Sequence, residues 1–316
     1  MSGANEKKDR KGVKTMAIQN IFVVGAGLMG SGIAQNAITS GYTVTLNDQR
    51  QEALDRAKAN IEKALAWDVE KGRLSAEDRD AALSRLSFDA TLESARNADL
   101  VIEAIIEVLE AKQAVFKSLE DICPPHTIFA SNTSSISLTA LASATKRPAQ
   151  VVGMHFFSPV PRMKLCEVIF GLLTTQDVLA AVKGVAEKMG KTIIQADDKP
   201  GFIVNRALLP MLNEACVIVG SYIGSVEEMD NGMKLGCNHP MGPLELADMI
   251  GLDILLEVMT TMEKEIGSKY APSLLLRKLV VSGFLGRKSG AGFYTYENGK
   301  KMGVNPVLTH FQSLAR

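Results

Sequence analysis

Residues that build metal centres and disulfide frameworks are scarce in this chain: it has four cysteines and four histidines among 316 residues. Cys123, Cys166, Cys216 and Cys237 are scattered, with no CxxC pair and no histidines at metal spacing. That excludes a zinc or disulfide scaffold and points to thiols in a reducing compartment, with no metal site expected. Charge of one sign is missing as well, since 35 basic residues balance 35 acidic ones. Nothing in that balance draws the chain to nucleic acid or to a membrane surface. No run of about twenty apolar residues is present to span a bilayer, and the N-terminus lacks an apolar signal core. A cytoplasmic protein with neither nucleic acid nor membrane as partner is therefore expected. Residues 1–16 show no apolar period and read as a disordered extension, in which Glu6 and Asp9 argue against an organellar targeting peptide.

What the chain has is apolar mass, 46% of its residues, in a length about twice that of a typical domain, so two domains are expected. The first chemistry-bearing pattern is a strand, a glycine loop and a helix in succession. Ile21 to Val24 is a short apolar run, Gly25-Ala26-Gly27-Leu28-Met29-Gly30 follows, and Ser31 to Ala37 reads as helix. In a dinucleotide site Gly25 permits the tight turn, Gly27 lets the backbone approach a pyrophosphate, and Gly30 packs helix on strand. The helix start beside Leu28 and Met29 would meet the anion with free N–H groups and the positive end of its dipole. Glycines alone fit any turn. Here a second strand, Thr43 to Leu46, leads to Asp48, where this arrangement places the acid that takes the ribose hydroxyls. Asp48 would repel a 2′-phosphate, so NAD is the expected cofactor, with Arg50 the one feature favouring NADP.

Further along, Gln51 to Leu86 has helical periodicity broken at Lys71-Gly72-Arg73 and predicts a helical hairpin. Strand signals recur at Asp99 to Ile105, Thr127 to Ala130, Val151 to His155 and Lys164 to Phe170, and helical ones at Lys112 to Asp121 and Thr175 to Met189. Such alternation implies an α/β fold of Rossmann type, a doubly wound and mostly parallel sheet, over residues 17–199. The polar turn Asp197-Asp198-Lys199-Pro200-Gly201 suits a boundary. Beyond it, residues 200–316 read as an all-α domain, with helices over Phe202 to Gly220, Leu244 to Lys264 and Ala271 to Val281 and a kink at Pro210.

His155 and Glu167 stand twelve residues apart in MHFFSPVPRMKLCEVI. An imidazole with a carboxylate partner is suited to moving a proton at neutral pH. A core histidine and a solvated glutamate would give the same letters. The nucleotide loop, the serine-rich loop Asn132-Thr133-Ser134-Ser135 and the Asn205-bearing segment downstream favour the chemical reading.

In GAGLMGSGIA, EAIIE, ASNTSSIS, GMHFFSPVPRMKLCEVI, PGFIVNR, HPMGPLELAD and GRKSGAGFY, from about residue 17 to 297, the chain resembles the L-3-hydroxyacyl-CoA dehydrogenases, particularly the short-chain 3-hydroxybutyryl-CoA type. The resemblance implies that His155 is the general base that takes the 3-hydroxyl proton, with Glu167 orienting it. It implies that Ser134 bonds both substrate and cofactor, and that Asn205 helps to place the substrate. Glu107, Lys112, Ser158 and Lys288 become cofactor contacts, and Lys71 a contact to the coenzyme A nucleotide. Without the resemblance, Ser134 and Ser135 could cap a helix near Ile136, and Glu107 and Lys112 could be helix-surface charges. The family's usual asparagine is replaced here by Ser158 and by Val108, which bears on cofactor affinity more than on chemistry. Its serine contact to coenzyme A is Ala64. A homodimer through the C-terminal domain is also implied.

The reaction implied is NAD-dependent interconversion of an L-3-hydroxyacyl-CoA, such as 3-hydroxybutyryl-CoA, with its 3-oxoacyl-CoA. Alternatives are a longer or dicarboxylic acyl-CoA such as 3-hydroxyadipyl-CoA, a free hydroxy acid of the gulonate type, or a nucleotide-binding protein without catalysis.

Overall fold

The computed structural model describes residues 16–309, so the expectation for the N-terminal extension lies, but for Met16, outside the described residues. Between Phe202 and Ile203 the chain divides into two compact units.

The first unit opens with β1 (Asn20–Val24), α1 (Leu28–Thr39) and β2 (Thr43–Asn47). The helical hairpin is α2 (Gln51–Glu70) and α3 (Ala76–Leu83), the second capped by Ser75, whose hydroxyl accepts from the Asp78 N–H. The chain returns through β3 (Leu86–Asp89), β4 (Leu100–Glu103), α4 (Leu109–Glu120), β5 (Ile128–Ser131) and α5 (Leu138–Ala142). It closes with β6 (Val151–Phe156), β7 (Leu165–Phe170), α6 (Gln176–Lys188) and β8 (Thr192–Asp197). Strands β1, β4, β5 and β6 are buried along almost their whole length, as expected where helices cover both faces of a parallel sheet.

The eight strands lie in the order β3-β2-β1-β4-β5-β6-β7-β8. Every neighbouring pair is parallel except β6 and β7. The order reverses between β1 and β4, which opens the crevice at the carboxyl ends of these strands where nucleotides bind in such sheets. Because β1, β4, β5 and β6 are mutually parallel, the glycine loop, Glu103, Ser131 and His155 come out on that one edge. Strands β3 and β8 carry too few apolar residues to announce themselves. They sit at the two ends of the sheet, where only one neighbour is needed.

The second unit packs α7 (Val204–Gly220), α8 (Val226–Gly236), α9 (Pro243–Ile250), α10 (Leu252–Ile266) and α11 (Leu274–Val281) around one apolar core. The run expected as one helix over Leu244 to Lys264 is two, because Gly251 adopts φ +109° between them. Helix α8 begins in a capping box formed by Ser225 and Glu228, a signal the sequence carried. Among its described residues the unit is helical with one addition, an antiparallel hairpin of β9 (Tyr294–Glu297) and β10 (Lys300–Val304). Its turn, Asn298-Gly299 with φ of +48° and +76°, was legible as a hairpin signal.

Two buried aspartates tie this hairpin to the helices. Asp248 accepts from the N–H groups of Phe293 and Tyr294, both at 2.9 Å, and from the Tyr296 hydroxyl at 3.1 Å. Asp230 accepts from the N–H of Leu244 and the hydroxyl of Tyr294. Burial pushes the Asp248 carboxyl up to about 6, against the lowering effect of the Tyr294 and Phe293 N–H groups. The folded chain therefore holds this proton more tightly than the unfolded chain, whose aspartate titrates near 3.8. Stability is lost as pH rises through that window, by about 3 kcal/mol for a shift of this size. Asp248→Asn should gain by a similar amount on wild type between pH 4 and pH 7 in denaturant titrations. A parallel course of the two proteins would contradict this.

Candidate active site

The glycine loop has the geometry of a cofactor cradle, and each glycine is required for a different reason. Gly25 sits at φ +100°, and a Cβ there would lie 2.6 Å from the Ala104 carbonyl oxygen. A Cβ on Gly30 would fall 1.8 Å from the Gly25 carbonyl oxygen, so the first turn of α1 presses directly on the loop. Gly27 is different: beyond its two chain neighbours no protein atom lies within 4 Å of where its Cβ would be, and its φ of −72° suits any residue. Nothing inside the protein demands glycine there, whereas a phosphate approaching the backbone would. Helix α1 starts at this point with no side-chain cap and no acidic residue in its first turn, leaving its N–H groups for an anion. Leu28 is exposed and Met29 half-buried at the same turn.

Asp48 follows β2 and holds the loop. One carboxylate oxygen accepts from the Ala26 N–H at 3.0 Å, and the other accepts from the Arg50 N–H at 3.0 Å. Backbone donors thus orient the carboxylate for a ribose. The two glycines that pack against protein, the uncapped helix and this acid fit a dinucleotide.

His155 and Glu167 are direct partners in the antiparallel register of β6 and β7, so both side chains emerge on one face. Imidazole Nδ1 lies 2.7 Å from Glu167 Oε2, with Glu167 fully buried and His155 7% exposed. With the carboxylate ionised, Nδ1 carries the proton it donates, which leaves Nε2 with a free lone pair. The rings of Phe157 and Phe202 stand 4.6 and 5.8 Å from the imidazole, centroid to centroid, and wall it in. Asn132 accepts from the Phe156 N–H at 3.0 Å and so ties the end of β6 to the loop after β5. These aromatic and amide supports were not singled out from sequence, because long-range packing leaves no local pattern.

Ser134 lies in that loop and is not a helix cap, since Ser137 caps α5 by accepting from the Ala140 N–H. Instead, one oxygen of Glu107 gathers the loop. It accepts from the Thr133 hydroxyl at 2.6 Å, from the Ser134 N–H at 2.7 Å and from the Ser134 hydroxyl at 3.2 Å. Burial would push the Glu107 carboxyl up, but the Lys112 ammonium and the Thr133 and Ser134 donors outweigh it and hold it below the usual range. Nor is Lys112 a surface charge. It is 1% exposed, with Nζ 2.6 Å from Glu103 and 3.2 Å from Glu107. Glu103 was missed in the sequence, although a carboxylate ending the apolar run LVIE is the signal that could have found it.

Ser158 is exposed and precedes Pro159 across a cis peptide bond. The segment after it helps to line a cleft of about 470 Å³ with Gly27, Arg50, Ala64, Trp67 and Arg162. Lys71 is half-exposed and pairs with Glu70 at 3.5 Å. The stronger cationic contacts to the Trp67 ring come from Arg73 at 4.6 Å and Arg162 at 4.9 Å, bridged by Asp68. Asn205 and Lys288 belong to the second unit. Asn205 is half-buried at the start of α7, and Lys288 Nζ lies 2.6 Å from Asp253. Among the described residues no group of His, Cys, Asp and Glu could hold a metal ion, and no helix is long and apolar enough to cross a membrane. The four cysteines are unpaired, and only Cys237 is exposed.

Comparison with known proteins adds to this geometry. Residues 20–199 match the family described as 3-hydroxyacyl-CoA dehydrogenase, NAD binding domain, and residues 201–296 its C-terminal domain. A probable 3-hydroxybutyryl-CoA dehydrogenase of Bacillus subtilis strain 168 is 52% identical over 283 residues, covering 89% of this chain and 99% of the relative. The 3-hydroxyadipyl-CoA dehydrogenase of Escherichia coli strain K12 is 39% identical, over 94% of this chain and 63% of the relative. The crystal structure of (S)-3-hydroxybutyryl-CoA dehydrogenase from Ralstonia eutropha superposes with a TM-score of 0.86 at 43% identity, covering 89% of this chain and all of that one.

Proposed function

Since the chain belongs to the 3-hydroxyacyl-CoA dehydrogenase family and is an NAD-dependent dehydrogenase, we propose that its substrates are 3-hydroxybutyryl-CoA and acetoacetyl-CoA, with His155 as the general base. The observation that carries this reading is the buried His155–Glu167 pair, 2.7 Å apart, on the sheet edge that also bears the nucleotide loop. The short acyl chain is supported by relatives named for the four-carbon substrate at 45% to 52% identity.

In oxidation, Nε2 of His155 takes the proton of the 3-hydroxyl group. Glu167 keeps the imidazole in the required tautomer and offsets the positive charge it acquires. The aromatic walls of Phe157 and Phe202 limit water around the ring. Ser134, held through its N–H by Glu107, turns its hydroxyl from Glu107 to donate to the 3-oxygen, and Asn205 contributes to substrate placement. In the reverse direction His155 returns its proton to the same oxygen. NAD, when bound, supplies the hydride acceptor, and Gly25, Gly27, Gly30 and Asp48 would hold it together with the N-terminus of α1, beside Leu28 and Met29. Glu107, Lys112, Ser158 and Lys288 complete the proposed cofactor set. Lys71 is proposed for the coenzyme A nucleotide, next to the Trp67, Arg73 and Arg162 cluster.

The same reading makes the protein a cytoplasmic homodimer that pairs through its second unit. That unit exposes Ile223, Leu235, Leu274 and Val281, between 67% and 89% open, and unpaired thiols fit a reducing compartment.

A substrate panel tests the reading. Acetoacetyl-CoA should give the highest kcat/KM with NADH, longer and dicarboxylic 3-oxoacyl-CoA thioesters less, and free acetoacetate at least about a hundredfold less, because binding energy from coenzyme A is lost. A preference for the dicarboxylic thioester would move the substrate assignment to the 3-hydroxyadipyl type. Equal use of free acetoacetate would contradict a role for coenzyme A.

A further inference from the structure

The carboxyl ends of β4 and β5 enclose a charge cluster whose innermost member, Glu103, has no part in the proposed binding or proton transfer. Glu103 has no exposure and Lys112 only 1%. Glu103 Oε1 accepts from Lys112 Nζ at 2.6 Å and from the Ile105 N–H at 2.7 Å, while Oε2 accepts from the Ser131 hydroxyl at 2.6 Å. Ser131 Oγ in turn accepts from the Thr133 N–H at 3.2 Å. The Lys112 ammonium reaches on to Glu107 Oε2 at 3.2 Å, and the other Glu107 oxygen collects the donors of Thr133, Ser134 and Ser135. The segment 132–135 is thus held from two sides by one network whose origin is Glu103.

Stability does not account for such an arrangement. Taking a carboxylate and an ammonium out of water costs more than their attraction returns in many proteins, and apolar residues of similar size often do as well or better. What an apolar pair could not do is carry an ammonium to Glu107 and fix its carboxylate under the serine loop. We propose that Glu103 and Lys112 are positioning residues that set Glu107 and Ser131, and through them hold Ser134 where it meets the substrate oxygen. The inference rests on the proposed role of Ser134.

The test uses the full chain in three forms: wild type, Glu103→Gln, and the double variant Glu103→Met/Lys112→Met, which removes both charges at once and leaves neither unpaired. Amide hydrogen exchange at Ser134 and Ser135 should quicken by about tenfold or more in the double variant, beyond any change at the amides of β1 and β4 that report its global stability. In the same samples kcat for acetoacetyl-CoA should fall by about ten- to a hundredfold, and in Glu103→Gln, which leaves the proposed cofactor residue Lys112 in place, the Kd for NADH should stay within about threefold of wild type. Glu103→Gln keeps the size of the side chain and an acceptor for Ser131. It should show the same split in milder form, and it serves as the readout where the double variant does not fold. Unchanged exchange at Ser134, or unchanged kcat in a folded variant, would overturn the proposal. A wild type that fails to reduce acetoacetyl-CoA would instead overturn the reading of Ser134, and exchange would still decide whether the network positions the loop.

Discussion

His155→Gln is expected to lower kcat by about 10²- to 10⁴-fold, the usual contribution of a positioned general base, while NADH binding is retained. Glutamine can fill much of the space and still bond to Glu167, but it has no lone pair that takes up a proton near neutral pH. The loss should therefore appear in kcat and kcat/KM together, as for an interaction made only in the transition state. Rapid-mixing kinetics with NADH fluorescence as the binding signal separates the two steps. Turnover within about threefold of wild type would remove His155 from the mechanism.

The second large effect concerns the cofactor loop, where two glycine substitutions should part company. Gly30→Ala puts a methyl group 1.8 Å from the backbone oxygen of Gly25. Neither helix nor loop can yield without moving the cradle, so both melting temperature and NADH affinity should fall, the affinity by at least about tenfold. Gly27→Ala meets no protein atom within 4 Å beyond its two chain neighbours and has an ordinary φ. Its melting temperature should match wild type while NADH affinity still drops by about tenfold or more, because only the ligand would collide with the new methyl. Full NADH affinity in Gly27→Ala would mean that the phosphates do not approach the chain at this point. Thermal melts and fluorescence titrations on the same preparations distinguish these outcomes.

How much of this was legible follows from the range over which each feature is encoded. The strand, glycine loop, helix and acid from Ile21 to Asp48 are local, and backbone rules alone place them. The pairing of His155 with Glu167 was suggested by residue type, but their contact depends on β6 and β7 being antiparallel in an otherwise parallel sheet. One residue of slip would have sent the two side chains to opposite faces. Glu103 and Lys112 are nine residues apart across a strand-to-helix turn, and their burial cancels the surface reading that a lysine on a helix invites. Strands β3 and β8 escaped notice because sheet-end strands need fewer apolar residues, as in TIIQAD. The hairpin after Tyr294 and the break at Gly251 had local signals, an Asn-Gly turn and a glycine, which the helical reading of the C-terminal half passed over. Phe202, at φ +47° and packed on the His155 ring, could not be read from sequence at all.

The most direct test of the central claim is the initial rate of NADH oxidation by the wild-type protein with acetoacetyl-CoA, run beside NADPH. The account predicts saturable turnover that strongly prefers NADH, since Asp48 disfavours a 2′-phosphate. Tight NADH binding without oxidation by any 3-oxoacyl thioester would contradict it, leaving a nucleotide-binding protein whose buried His155–Glu167 pair serves some other end.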